Sequence, residues 1–182
     1  MKRYFLFIAG ILIALASHGQ IVCVLPDGDM GYRFGTTKQK FGSAGTEQRY
    51  SYRGFGGGAS LAIVPEDLAF LHQIGVNWEK GRARSKESDS YFDHRQTTVR
   101  YEFYGNPFGN FPLWFTAGGG AAICSDKNEN NRMNNYSKFV PSVGVCLGPV
   151  KFDVEFGKIV KYGIKLDLVE IIYFVGYTWE LF

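Results

Sequence analysis

Cysteine and histidine are scarce in this 182-residue chain, with three of each. The odd set of cysteines, Cys23, Cys124 and Cys146, leaves no self-contained disulfide framework. Three histidines without close spacing make no metal site. An excess of one charge is also missing. Removing Lys2 and Arg3 from the 20 basic residues leaves 18 against 17 acidic, a net charge of +1, with nothing to draw a nucleic acid. Beyond residue 16 no apolar run approaches the roughly 20 residues of a spanning helix. Phosphate-loop chemistry is absent too: Gly56-Gly57-Gly58 and Gly118-Gly119-Gly120 both lead to Ala and sit inside strand-like segments, not between a strand and a helix. Asp126-Lys127-Asn128-Glu129-Asn130 opens like a calcium loop, but Asn131 stands where the sharp turn wants Gly and Ser137 where the bidentate Glu belongs. No cofactor is implied.

What is present begins with an export signal. Lys2 and Arg3 precede the apolar run of residues 4–16, and Ser17-His18-Gly19 puts small residues where a signal peptidase reads. Residues 1–19 are therefore expected to be a signal peptide cleaved before Gln20, with Ala14-Leu15-Ala16 as the alternative site. Residues 20–29 are read as a periplasmic leader and 30–182 as one domain. Cys23 follows Gln20-Ile21-Val22 rather than a small residue after Leu, so acylation there is not expected.

Aromatics and glycine are abundant, with 16 Phe, 11 Tyr, 3 Trp and 23 Gly. The apolar residues recur with period two, the strand period. Eight segments show it: residues 30–36, 50–64, 68–78, 97–104, 111–123, 139–147, 150–156 and 169–182. In the seventh, Val150, Phe152, Val154 and Phe156 alternate with Lys151, Asp153 and Glu155. Polar stretches 37–49, 79–93, 125–136 and 158–167 read as long loops after segments one, three, five and seven, whereas breakers at 65–67, 105–110 and 148–149 make short turns. His72 and Pro141 fall on apolar faces, where a bulge would re-aim their neighbours. Cys124 and Cys146 lie near opposite ends of one hairpin and should not pair.

The last segment carries the strongest pattern. Val169, Ile171, Tyr173, Val175, Tyr177, Trp179 and Leu181 form an unbroken apolar face, about 20 Å or more at roughly 3.3 Å per residue. A tilted membrane strand needs about 9–11 residues, and the chain stops on Phe182. In these features it resembles the small eight-stranded outer-membrane β-barrel proteins of double-membraned bacteria, whose last strand commonly ends in Phe. It departs from their pattern in placing Phe182 on the face of Glu180. The alternation of long loops with short turns is similar to theirs as well.

The resemblance implies an all-β, eight-stranded antiparallel up-and-down transmembrane barrel in the outer membrane, with four outer loops. Its partners would be outer-membrane lipid and lipopolysaccharide, the barrel-assembly machinery during insertion, and a surface ligand at the loops. With the apolar faces outward, Glu79, Arg100, Glu102, Lys151, Asp153, Glu155 and Glu170 point into the lumen as a polar plug. Trp78, Tyr173, Tyr177 and Trp179 are the interfacial aromatics. Eight strands are too few for an open aqueous channel. Some such barrels are lipid A acyltransferases or deacylases, but neither His72 nor His94 is followed two residues on by Ser. Asp93 beside His94 is the remaining candidate for a lipid-modifying enzyme; a structural or surface-interaction role is expected instead. A soluble periplasmic ligand-binding barrel is the other alternative.

Overall fold

Alternation of residue type along each strand decides which side chains face inward, and the computed structural model displays it over the residues it describes, 21–40, 47–65, 70–108 and 113–167. The strands are β1 (Ile21–Lys40), β2 (Glu47–Pro65), β3 (Phe70–Ser85), β4 (Tyr91–Gly105), β5 (Leu113–Asn128), β6 (Met133–Leu147), β7 (Val150–Glu155) and β8 (Val160–Asp167). Each pairs antiparallel with the next, and β8 pairs with β1, so the sheet is a closed eight-stranded up-and-down barrel. The closing ladders are shorter than the rest: β8 pairs with Asp29–Thr36 of β1, and β7 with Ser142–Leu147 of β6.

The two faces have opposite chemistry. On β4, Thr97, Val99 and Tyr101 are exposed while Gln96, Thr98, Arg100, Glu102 and Tyr104 are buried. Val99 is 54% exposed and Arg100 only 4%, so the barrel carries its charge inside and its apolar residues outside. Met30, Phe34, Phe55, Val76, Phe115, Phe139, Phe152 and Ile164 continue the outer apolar face around the ring.

Several sequence expectations change. β1 begins at Ile21 rather than Met30, and the expected leader pairs with β2 as far as Pro65. The four stretches expected as long loops are largely strand. β1 and β2 run on to Lys40 and Glu47, β3 and β4 to Ser85 and Tyr91, and β5 and β6 to Asn128 and Met133. Residues 158–167 supply β8 itself. The sorting of long loops from short turns therefore disappears. In the first three of these stretches most outward residues are polar, and so are several inward ones, Thr37, His94 and Asp126 among them, so hydrophobicity no longer alternates although the backbone does. Residues 169–182, expected as the closing strand, lie outside the described residues, as do the signal peptide and Glu170, Tyr173, Tyr177 and Trp179; the ring closes through Val160–Asp167.

No bulge occurs at His72 or Pro141, because the register runs unbroken through both. His72 Nδ1 lies 2.6 Å from the Tyr101 hydroxyl on the outer face. Pro141 sits where the β6–β7 ladder ends, its carbonyl accepting from the Phe156 N–H at 2.9 Å, so its missing N–H costs no internal rung. At the β6–β7 connection Gly148 adopts φ +52°, the left-handed conformation a two-residue turn requires. Cys124 faces Tyr136 and Cys146 faces Trp114, at opposite ends of the β5–β6 hairpin.

Candidate functional site: the charged lumen

Inward positions of five strands bring five cations and five carboxylates into one network. Arg33 reaches Asp153 at 3.0 Å, Glu79 at 3.4 Å and Glu155 at 3.7 Å. Arg100 reaches Glu155 at 2.8 Å, Glu102 at 3.3 Å and Asp153 at 3.6 Å. Lys151 binds Glu102 at 2.8 Å, Lys161 binds Glu79 at 3.0 Å and Glu155 at 3.3 Å, and Lys165 binds Asp29 at 2.9 Å and Asp153 at 3.7 Å. Every carboxylate except Asp29 serves at least two cations. Such multiple pairing offsets the desolvation that makes an isolated buried ion costly.

Missing side chains position the network as much as present ones do. Gly163 stands in register between Arg33 on β1 and Asp153 on β7. A methyl group at Gly163 would collide with the Asp153 carboxylate, so the glycine is the gap across which the pair meets. Gly54 and Gly81 are cross-strand partners, and the Tyr52 phenol lies over both to donate to Glu79 at 2.5 Å.

Both ends of the network are sealed. Toward the β2–β3 turn, Lys151 donates to the Tyr104 hydroxyl at 3.0 Å, Tyr104 donates to Gln73 at 2.7 Å, and the Gln73 amide donates to Asp27. Toward the β3–β4 tip, Tyr50, Tyr52, Ala83, Phe92 and Ile159 pack as a buried apolar cap, with the Tyr50 and Phe92 rings 5.2 Å apart. Two spaces of about 10 Å³ lie against the network, each large enough for roughly one water.

His94 and Asp93 point to opposite faces. His94 is wholly buried, with Nδ1 2.6 Å from Asp126, which also accepts from Lys158 at 3.0 Å. The Tyr52 ring meets it edge-on at 5.6 Å. Asp93 projects outward above the apolar band and accepts from Arg82 Nε at 2.6 Å, a bond that holds its carboxyl below the usual carboxylate range. The expected Asp93–His94 pair does not form, because adjacent strand residues face opposite ways.

Of the residues read from sequence as lumenal, Glu79, Arg100, Glu102, Lys151, Asp153 and Glu155 are all buried in this network; Glu170 is outside the described residues. Trp78 is 53% exposed on the outer wall, its ring 6.2 Å from Phe55. Sequence reasoning missed Arg33, Asp29, Lys161 and Lys165. Lys161 and Lys165 do alternate with Tyr162, Ile164 and Leu166, a period-two signal that the polarity of the stretch outweighed. Among the described residues no group of three His, Cys, Asp or Glu side chains converges as metal ligands, and Asp126 is turned into the lumen. No family model matches the sequence, and no curated protein matches it.

Proposed function

We propose that the chain is an outer-membrane β-barrel of a double-membraned bacterium, exported through residues 1–19, with a filled lumen and a structural or surface-interaction role. The observation that carries this reading is the inversion of the two faces: Arg100 is 4% exposed and its neighbour Val99 54%. Soluble monomers rarely expose apolar patches beyond a few hundred Å², whereas here large apolar side chains stand exposed on the outer wall of all eight strands. A closed barrel also satisfies every backbone group between strands, the condition a bilayer imposes. The resemblance of the C-terminal segment to outer-membrane strands, and the basic and apolar amino terminus, support the same location.

The lumen supports a plug rather than a channel, because paired charges and an aromatic cap occupy it. A soluble ligand-binding barrel would enclose an apolar cavity of about 300–1,000 Å³, and the spaces against the network hold about 10 Å³ each. The lipid-modifying alternative rested on His94 beside Asp93 at an outer leaflet, and the buried imidazole removes that motive. Outer-membrane lipid, lipopolysaccharide and the barrel-assembly machinery are the partners this role implies, with surface ligands meeting the hairpin tips.

Envelope fractionation followed by denaturing electrophoresis with and without boiling tests the reading. The expected result is recovery in the detergent-extracted membrane fraction and a band that shifts only on heating. A soluble, heat-insensitive protein would overturn it.

A further inference from the structure

Above the apolar band, the outer wall of β1–β4 is strongly cationic. Three like-charged pairs stand directly opposite one another in register: Lys38 with Arg49, Arg53 with Arg82, and Lys80 with Arg95. All six are exposed. Like charges directly opposite destabilise a sheet, so three such pairs side by side are a cost to folding that a ligand would offset. Asp93 and, at the hairpin tip, Glu47 are the outward acids of these strands, and Asp93 is already committed to Arg82. The Tyr91 ring lies 4.5 Å from the Arg82 guanidinium and braces it. The feature fades beyond β4: Lys127 on β5 stands opposite Asp93, but β5 and β6 otherwise place Ser125, Met133, Asn135 and Ser137 outward. A general headgroup girdle would encircle the barrel.

Two adjoining grooves give this face a shape. The upper one, about 540 Å³, is lined by Ser51, Arg53, Arg82 and Arg84. The lower one, about 490 Å³, shares Ser51 and Arg53 and continues over Phe34, Tyr32 and Tyr162. The Phe34 and Tyr162 rings stack at 5.7 Å along its floor. A guanidinium cluster directly above an aromatic groove matches a molecule with phosphate above and hydrocarbon below. Arginine suits the upper part because its planar fork donates two bonds to one phosphate.

We propose that this face is a binding site for a phosphate-bearing lipid, with Arg53 and Arg84 on the headgroup, Arg82 held beside them by Asp93, and an acyl chain along Phe34 and Tyr162. The site rests on the membrane reading above. The test uses the full barrel refolded in neutral detergent, with native mass spectrometry against dioleoyl phosphatidic acid, dioleoyl phosphatidylcholine and inorganic phosphate. The expected result is one saturable phosphatidic acid adduct that phosphatidylcholine does not reproduce and inorganic phosphate does not displace. Arg53→Gln/Arg84→Gln should weaken it about tenfold or more, as expected for losing two charge-assisted contacts, while Arg132→Gln at the β5–β6 turn leaves it unchanged. Both variants should keep the heat-shifted band, since the first only relieves repulsion. Equal retention by the double variant, or an unsaturable ladder of adducts, would overturn the site; displacement by inorganic phosphate would reduce it to an anion site without lipid. A heat-modifiable barrel without retained lipid sinks the lipid site alone, whereas a protein soluble without detergent sinks the membrane reading and the site together.

Discussion

At the residue scale, Glu155 is the most heavily shared carboxylate: it serves Arg33, Arg100 and Lys161 and accepts from the Gln96 amide at 2.8 Å. Glu155→Ala would leave buried cations undercompensated, a loss of about 3–5 kcal/mol. The expected outcome is a lower urea midpoint for vesicle-refolded protein, with Glu155→Gln losing less. Gly163→Ala makes a separate point, because it changes no charge yet places a methyl group on the Asp153 carboxylate. It should destabilise the barrel, and Gly163→Ala combined with Asp153→Asn should cost no more than the worse single change; additive losses would show that the Arg33–Asp153 pair does not depend on the gap. Most of the network was legible because its members alternate with Val, Tyr and Phe, as Arg100 does with Val99 and Tyr101. The glycine gaps were not, since an absent side chain acquires meaning only when the register of neighbouring strands is known.

At the element scale, β8 is where sequence and structure part. Val160–Asp167, expected as a loop, forms β8: Lys161 and Lys165 sit between Tyr162, Ile164 and Leu166 and hide its alternation, while residues 169–182, which carry the longest apolar alternation, lie outside the described residues. Yet Lys161 and Lys165 are what the lumen needs opposite Glu79, Glu155, Asp29 and Asp153. Counting lumen charge would have found the strand, because the sequence-read set, Glu79, Arg100, Glu102, Lys151, Asp153, Glu155 and Glu170, is too acidic to be buried together. The seam can be tested directly. Tyr32 faces Ile164, and Phe34 faces Tyr162, across β1 and β8. Cysteines at either pair, about 5 Å apart by Cα, should be joined in high yield by a short bis-thiol reagent in folded protein lacking the native cysteines. Cross-linking no better than that of Tyr32 with Phe152 would remove β8 from the seam.

At the scale of the whole molecule, the closed ring, the neutral charge network and the apolar outer wall are one arrangement. Bilayer hydrocarbon rather than water would surround the side that a soluble barrel leaves wet, and the polar residues gather where neither reaches. The barrel architecture and the facing of its central residues follow from the period-two pattern. The strand ends do not, because above the apolar band both faces become polar and the signal fades. The most direct test of the inversion is site-directed spin labelling of protein refolded in phosphatidylcholine vesicles, with nitroxides placed at Val99, Tyr101, Thr98 and Ser88 in a cysteine-free background. Accessibility to oxygen, which partitions into hydrocarbon, is compared with that to a water-soluble nickel chelate. Val99 and Tyr101 should show high oxygen and low nickel access, Thr98 low access to both, and Ser88, at the β3–β4 tip, high nickel access. Nickel access at Val99 and Tyr101 equal to that at Ser88 would place the apolar wall in water and contradict the account.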